Sequence, residues 1–234
     1  MPLHGAYERL RPGQIEAIVK ETGIVYLPWG ALEWHGPQNP IGLDALKIHN
    51  LALDCAAVTG GVVVPVVYAG FQTMKPHAGF KHTIEVPAEV IAGLANAFFD
   101  QLADEGFRLC VLMMGHYGGE HVKNLRFTAE NWERYRAGDS PMRVWAFPEY
   151  EVILADGYSG DHAGGYETSL LMRYTPELVD LSQIPEGEMD HKALGIGGTD
   201  PRETASAEHG AELAAVIVKR VTEGVARRLA GEWS

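Results

Sequence analysis

L-P-W-G-A-L-E-W-H-G-P-Q-N-P-I-G-L-D, residues Leu27–Asp44, is the stretch on which the reading of this chain turns. It continues an apolar run, Ile24, Val25, Tyr26 and Leu27, that reads as a buried strand ended by a proline. A loop broken by Gly and Pro follows, carrying Glu33 and His35 and ending at Asp44, where a helix begins. Strand, loop and helix make the repeating unit of an α/β fold. Here the loop also holds three potential metal ligands of two chemical types, in a segment too broken to be core.

Working outward, residues 12–22 suggest a short helix, with Ile15, Ile18 and Val19 on one side and Gly23 as its stop. Residues 43–58 predict a second helix on the repeat Ile48, Leu51, Cys55, Val58, ended by Gly60 and Gly61. Extending that stripe back by four residues lands on Asp44, at the helix start, where a carboxylate also complements the macrodipole. Val62 to Val67 reads as a continuous β-branched strand covered on both faces. A helix over 88–105 turns Ile91, Leu94, Phe98 and Leu102 inward, and a third strand, Leu109 to Met114, runs into G-H-Y-G-G. Beyond it come a helix over 120–135 (Val122, Leu125 and Ala129 inward) and a strand from Arg143 to Phe147. A helix over 164–174 and a last one over 203–230, striped by Leu213, Ile217, Val221, Val225 and Leu229, complete the chain. Strands and helices alternate without a repeat or low-complexity tract, so the expectation is one α/β domain over 1–234, built on a mainly parallel sheet.

Composition narrows the function. A formal charge of −12 opposes a nucleic-acid surface, which needs clustered cations to neutralise phosphates. Apolar residues at 46% and charged ones at 21% fit a folded globular chain rather than a disordered one. No window reaches the ~18 apolar residues of a membrane span, and the N-terminus lacks an apolar signal core. Cys55 and Cys110 lie in apolar runs without zinc-finger spacing, as buried reduced thiols do. A cytoplasmic location is the expectation.

In an open parallel sheet, ligands bind beyond the carboxyl ends of the strands. Polar residues collect there: Glu33, His35 and Asp44 after the first strand, His77 and His82 after the second, His116 after the third, and Glu149, His162 and Glu167 after the fourth. Five of the ten histidines fall in these loops; His4, His49, His121, His191 and His209 are assigned to the surface or to structure. Each piece has a plainer reading. Glu33 and His35 could be a solvated pair, Asp44 a helix-start carboxylate, and Gly115–Gly119 a backbone nest for phosphate. All would have to hold together to defeat a site fed from four strands. Imidazole and carboxylate ligands together suit Zn²⁺, Mn²⁺ or Fe²⁺, and one Asp has two oxygens with which to bridge two ions. Nothing resembles a serine nucleophile elbow or a Walker loop.

The opening stretch resembles the first motif of the creatininase (creatinine amidohydrolase) family, Pro-x-Gly-x-x-Glu-x-His-Gly-Pro-His-Leu-Pro-x-x-Thr-Asp. G-H-Y-G-G resembles the second motif and H-A-G-G-Y-E-T-S the third, in family order over about residues 30 to 170. The resemblance implies a three-layer α/β/α sandwich, two divalent metal ions per chain and amide hydrolysis by a metal-activated water. It implies Glu33 and His116 on one ion, His35 on the other, Asp44 between them, and His162 as proton shuttle. It further implies a homo-oligomer, commonly a hexamer, acting on a small-molecule substrate.

Four departures follow. The family's metal-binding carboxylate two residues after the second-motif histidine is Gly118 here, with Glu167 the preferred replacement and Glu120 the weaker one. Gln38 stands where many relatives have His. A Phe-Pro-Gly-Thr signature reads Phe80-Lys81-His82-Thr83. Tyr158 takes the place of a tryptophan gate. Tyr117, Tyr158, His77, Lys81 and His82 are the expected substrate-binding residues, and the added cations point away from creatinine toward a polyhydroxy or anionic compound. The leading expectation is hydrolysis of a C–N bond in a small cyclic amide. The alternatives are C–C ring opening of a keto-inositol, a phosphate or nucleotide-binding module, and a catalytically dead scaffold.

Overall fold

The computed structural model describes residues 1–136 and 138–233. Its elements in chain order are β1 (His4–Ala6), α1 (Pro12–Glu21), β2 (Ile24–Gly30), α2 (Leu43–Thr59), β3 (Gly61–Val63), β4 (Val67–Tyr68), α3 (Met74–Ala78) and α4 (Ala88–Asp104). They continue with β5 (Leu109–Met114), α5 (Gly119–Arg136), β6 (Arg143–Pro148), α6 (Gly165–Tyr174), α7 (His191–Leu194), α8 (Pro201–Thr204) and α9 (Ala207–Leu229). The strands run parallel in the order β1-β3-β2-β5-β6, with β4 continuing the pairing along β2.

Strand alternation builds the layers. Val25, Leu27 and Trp29 of β2 and Cys110, Leu112 and Met114 of β5 face Ile18, Ile91, Phe99, Leu125 and Trp132, from α1, α4 and α5. Their neighbours Ile24, Tyr26, Leu109, Val111 and Met113 face Ile48, Leu51, Cys55, Leu170, Leu213 and Ile217, from α2, α6 and α9. The expected α/β/α sandwich around a parallel sheet is what the chain forms. Cys55 and Cys110 are buried and free, on opposite faces of the sheet.

Proline marks two departures from the expected strands. β2 does not stop at Pro28 but runs through it to Gly30. The carbonyls of Tyr26 and Gly30 accept from Val64 and Ala69, so Pro28, between them, faces the side where β3 gives way to β4. Its missing N–H falls in that break and costs no ladder bond. The run 62–67 is correspondingly two short strands, interrupted at Pro65. The helix expected over 203–230 is two helices, because Ser206 caps α9 by accepting the His209 N–H. Val58, Leu94 and Leu229, read as inward, are exposed; on α4 the small Ala95 and Phe99 pack instead.

From β2 the chain crosses to β3 on one side and later returns to β5 on the other. The topological switch point therefore lies between β2 and β5. The start of α2 sits directly on it. A Cβ at Gly30 would lie 2.4 Å from Ala45 N, and one at Gly115 would lie 2.3 Å from the Asp44 carbonyl oxygen. Two glycines thus let Asp44 rest on the sheet edge, where larger residues would push α2 away.

Candidate metal centre

Beyond the β2 and β5 ends, Glu33, His35, Asp44 and His116 are all at most 3% exposed, as is Glu167 in the first turn of α6. Burying several charged groups without water is costly unless they neutralise one another or bind a cation.

Each histidine is held by a backbone carbonyl. His35 Nδ1 donates to the Glu33 carbonyl oxygen at 3.0 Å, leaving Nε2 2.9 Å from Asp44 Oδ1 and 3.5 Å from Glu167 Oε2. His116 Nε2 donates to the Phe71 carbonyl at 2.9 Å, leaving Nδ1 2.8 Å from Glu33 Oε2 and 3.3 Å from Asp44 Oδ2. Fixing one ring nitrogen in this way aims the other's lone pair, the usual support of a metal-ligating imidazole. Glu33 Oε2, His35 Nε2 and both Asp44 oxygens lack a hydrogen-bond partner.

Ligand atoms group as Glu33–Asp44–His116 and as His35–Asp44–Glu167, each within 4.8 Å, with Asp44 common to both. A third group joins Glu33 and His35 to His162. The donor types and the orphaned atoms fit two nearby divalent ions.

Without a cation the same groups hold protons instead. Burial alone would lower the His35 pKa, but Asp44, Glu167 and Glu33 outweigh it and raise it to about 9. His116 is likewise pushed up against its burial by Glu33 and Asp44. Asp44 is held well below its ordinary value, burial being outweighed by His35, His116 and Lys47. A raised histidine stabilises the fold fully below its unfolded pKa of 6.5, and that contribution is lost as pH rises through about 9. The urea midpoint of chelated protein is therefore expected to fall between pH 6.5 and 9. Metal affinity rises over the same window, because the ligand must be neutral. Urea titrations of chelated and metal-loaded protein at both ends check this; parallel trends would show that His35 does not exchange a proton for a metal.

His162 lies against His35, ring centroids 4.5 Å apart. Its Nε2 donates to the Trp34 carbonyl at 3.0 Å, so Nδ1 is the proton acceptor. Burial, and then the positive field of His35, lower its pKa. The next residue, Ala163, adopts a left-handed φ of +58°, which costs a non-glycine residue on the order of 1 kcal/mol. That turn lets the Ala163 N–H donate to Glu167 Oε2 at 2.8 Å, while its carbonyl accepts from Gln38. Gln38 thus ties the first loop to the third motif.

The structure separates the two candidates for the carboxylate absent at Gly118. Glu167 faces His35 and Asp44, whereas Glu120 is exposed and pairs with Lys123. A Cβ at Gly118 would lie 2.8 Å from the Phe71 carbonyl oxygen and 2.9 Å from His116 Nε2, on top of the hydrogen bond that orients His116. The 71–72 backbone occupies the space such a side chain would need.

The expected substrate residues are dispersed. His77, Lys81 and His82 are exposed. Tyr158 is half-buried, its ring 6.3 Å from that of His209. Tyr117 turns behind the site, donating to Glu149 and accepting from Lys47 at 2.7 Å. Lys47 was not among the sequence candidates, although it is fully buried with its ammonium against Glu167 and 3.2 Å from Glu149. Its signal was its position three residues after Asp44, on the inward face of α2.

A family model described as Creatinine amidohydrolase (Creatininase) matches residues 8–225. Creatinine amidohydrolase of Pseudomonas putida is 26% identical over 239 residues, covering 86% of this chain and 88% of that protein. A 3-dehydro-scyllo-inosose hydrolase of Thermotoga maritima is 28% identical over 116 residues, 50% of this chain and 37% of that protein. Among solved structures, a creatinine amidohydrolase superposes with a TM-score of 0.82 at 24% identity, covering 95% of this chain and 97% of the other. One described as "Creatininase Mn" gives 0.79 at 24% identity, with coverages of 97% and 98%.

Proposed function

This chain belongs to the creatininase family, and from that premise we propose that it is a dinuclear metal-dependent hydrolase that opens the C–N bond of a small polar cyclic amide. The observation that carries the reading is Asp44, fully buried, with two unpartnered oxygens turned toward two histidines of fixed tautomer. In this reading Glu33 and His116 hold one divalent ion, His35 and Glu167 the other, and Asp44 belongs to both. Zn²⁺ and Mn²⁺ fit these donors and Fe²⁺ is compatible. Such a pair, when bound, supplies Lewis acidity that lowers the pKa of water and stabilises charge on a carbonyl oxygen.

The chain's own residues do the rest. His162, neutral and oriented by the Trp34 carbonyl, accepts the proton of the attacking water at Nδ1 and returns it to the leaving nitrogen. Trp34 stacks on Phe80 with centroids 5.3 Å apart and donates to the Leu194 carbonyl. The first loop, the 80–82 turn and the end of α7 are thereby tied together beside His35.

A second reading, hydrolytic C–C cleavage in a cyclic keto-polyol, is favoured by the half-length match to the inosose hydrolase. Exposed Val90 and Leu94 on α4 and Phe127 on α5 support a homo-oligomer. Among the described residues no helix is long and apolar enough to cross a membrane.

Dialysis against a chelator is expected to lower ring-opening activity at least ~100-fold, with recovery on adding Zn²⁺ or Mn²⁺. The panel should contain lactams, hydantoins and keto-inositols. If the amides are inert and a keto-polyol is opened, the amide reading is wrong.

A further inference from the structure

A protonated amine has no lone pair for a metal, yet Lys47 is wholly buried beside the ligand set. Its Nζ contacts Glu167 Oε1, lies 3.2 Å from Glu149 Oε1 and 4.0 Å from Asp44 Oδ1, and donates to the Tyr117 hydroxyl at 2.7 Å. The two subsites are consequently different. In Glu33–Asp44–His116, Glu33 Oε2 and Asp44 Oδ2 are free of hydrogen bonds. In His35–Asp44–Glu167, both oxygens of Glu167 are already engaged, Oε1 by Lys47 and Oε2 by the Ala163 N–H. The Asp44 oxygen shared with that subsite, Oδ1, is also the one nearest the ammonium.

We propose that Lys47 makes the two metal subsites unequal, its fixed positive charge weakening the His35–Asp44–Glu167 subsite while the Glu33–Asp44–His116 subsite binds tightly. The inference rests on the two-ion reading above. A fixed cation beside a divalent ion in a dry site repels it strongly, and Glu149, 3.2 Å from the ammonium, compensates only in part. Lys47 also occupies one of the two oxygens through which Glu167 would bind.

The test is metal uptake. Metal-free wild type, Lys47→Met and the Lys47→Met/Glu149→Gln pair are titrated with Zn²⁺ against a chromophoric competing chelator. The double variant keeps the net charge of the cluster and avoids an unpaired buried carboxylate. Wild type is expected to bind its first equivalent at least roughly tenfold more tightly than its second. In both variants the second equivalent tightens by at least about tenfold, with the first little changed. Equal equivalents in wild type, or a second equivalent unchanged in both variants, overturns the proposal. A weaker second equivalent overturns it too, since Lys47 would then serve only to hold Glu167 in place. Uptake of one equivalent by every protein, or of none, refutes the two-ion reading itself and the inference with it.

Discussion

Asp44→Asn is expected to lower kcat/KM by at least about 10³-fold and to remove roughly one of the two ions, with little change in fold. Partners that merely support a metal ligand are typically worth 10–100-fold, and a carboxylate serving two ions should exceed them. The asparagine side chain has one oxygen where aspartate has two, and its NH₂ cannot ligate. Whichever way it turns, it leaves either the His35 side or the His116 side without its carboxylate, where Asp44 now lies 2.9 and 3.3 Å away. The substitution is nearly isosteric and sits in the first turn of α2, where asparagine is tolerated. Steady-state kinetics with elemental analysis of the purified variant check the expectation. Full metal content with full activity would show that Asp44 is not a shared ligand.

His162→Asn should act differently. If His162 carries the proton from water to leaving group, kcat falls by about 10²–10⁴-fold while metal content is unchanged. The pH dependence should separate a proton carrier from a binding residue. Burial and His35 hold the His162 pKa below its ordinary value, so the group is a neutral base near pH 7 and becomes charged only in acid. Wild-type activity therefore declines on the acid side as His162 protonates, and the variant loses that limb. A variant with altered KM, intact kcat and the same acid limb would assign His162 to substrate binding.

Much of this was legible in the sequence because two patterns were strong. The unbroken apolar runs at 24–27 and 109–114 read as strands covered on both faces, and in a parallel sheet the residues following them meet at one sheet edge. That rule brings Glu33, His35, Asp44, His116 and Glu167 together from the sequence alone. The misreadings have physical causes. A proline reads as a strand stop, but Pro28 lies where its missing N–H has no partner to disappoint. Reading an inward stripe only by apolar residues hid Lys47, which shares the buried face of α2 with Asp44, Ile48 and Leu51. Loop membership carries no information about exposure, and His77, Lys81 and His82 are all exposed. Which of Glu167 and Glu120 would face His35 depended on the left-handed turn at Ala163, which a non-glycine sequence does not announce.

The crowding at Gly118 bears on how such a chain can change over generations. The ligand arrangement implied by the family motif puts a carboxylate two residues after the histidine; the arrangement proposed for this chain takes one from α6. No single substitution leads from the second arrangement to the first. A glutamate at 118 would meet the Phe71 carbonyl and disturb His116 before it could reach an ion, and Glu167 would still be tethered to Lys47. Backbone at 71–72, residue 118 and Lys47 would have to change together, so intermediates with one change would be handicapped. The two arrangements therefore compete for one small volume, which the 71–72 backbone fills in this chain.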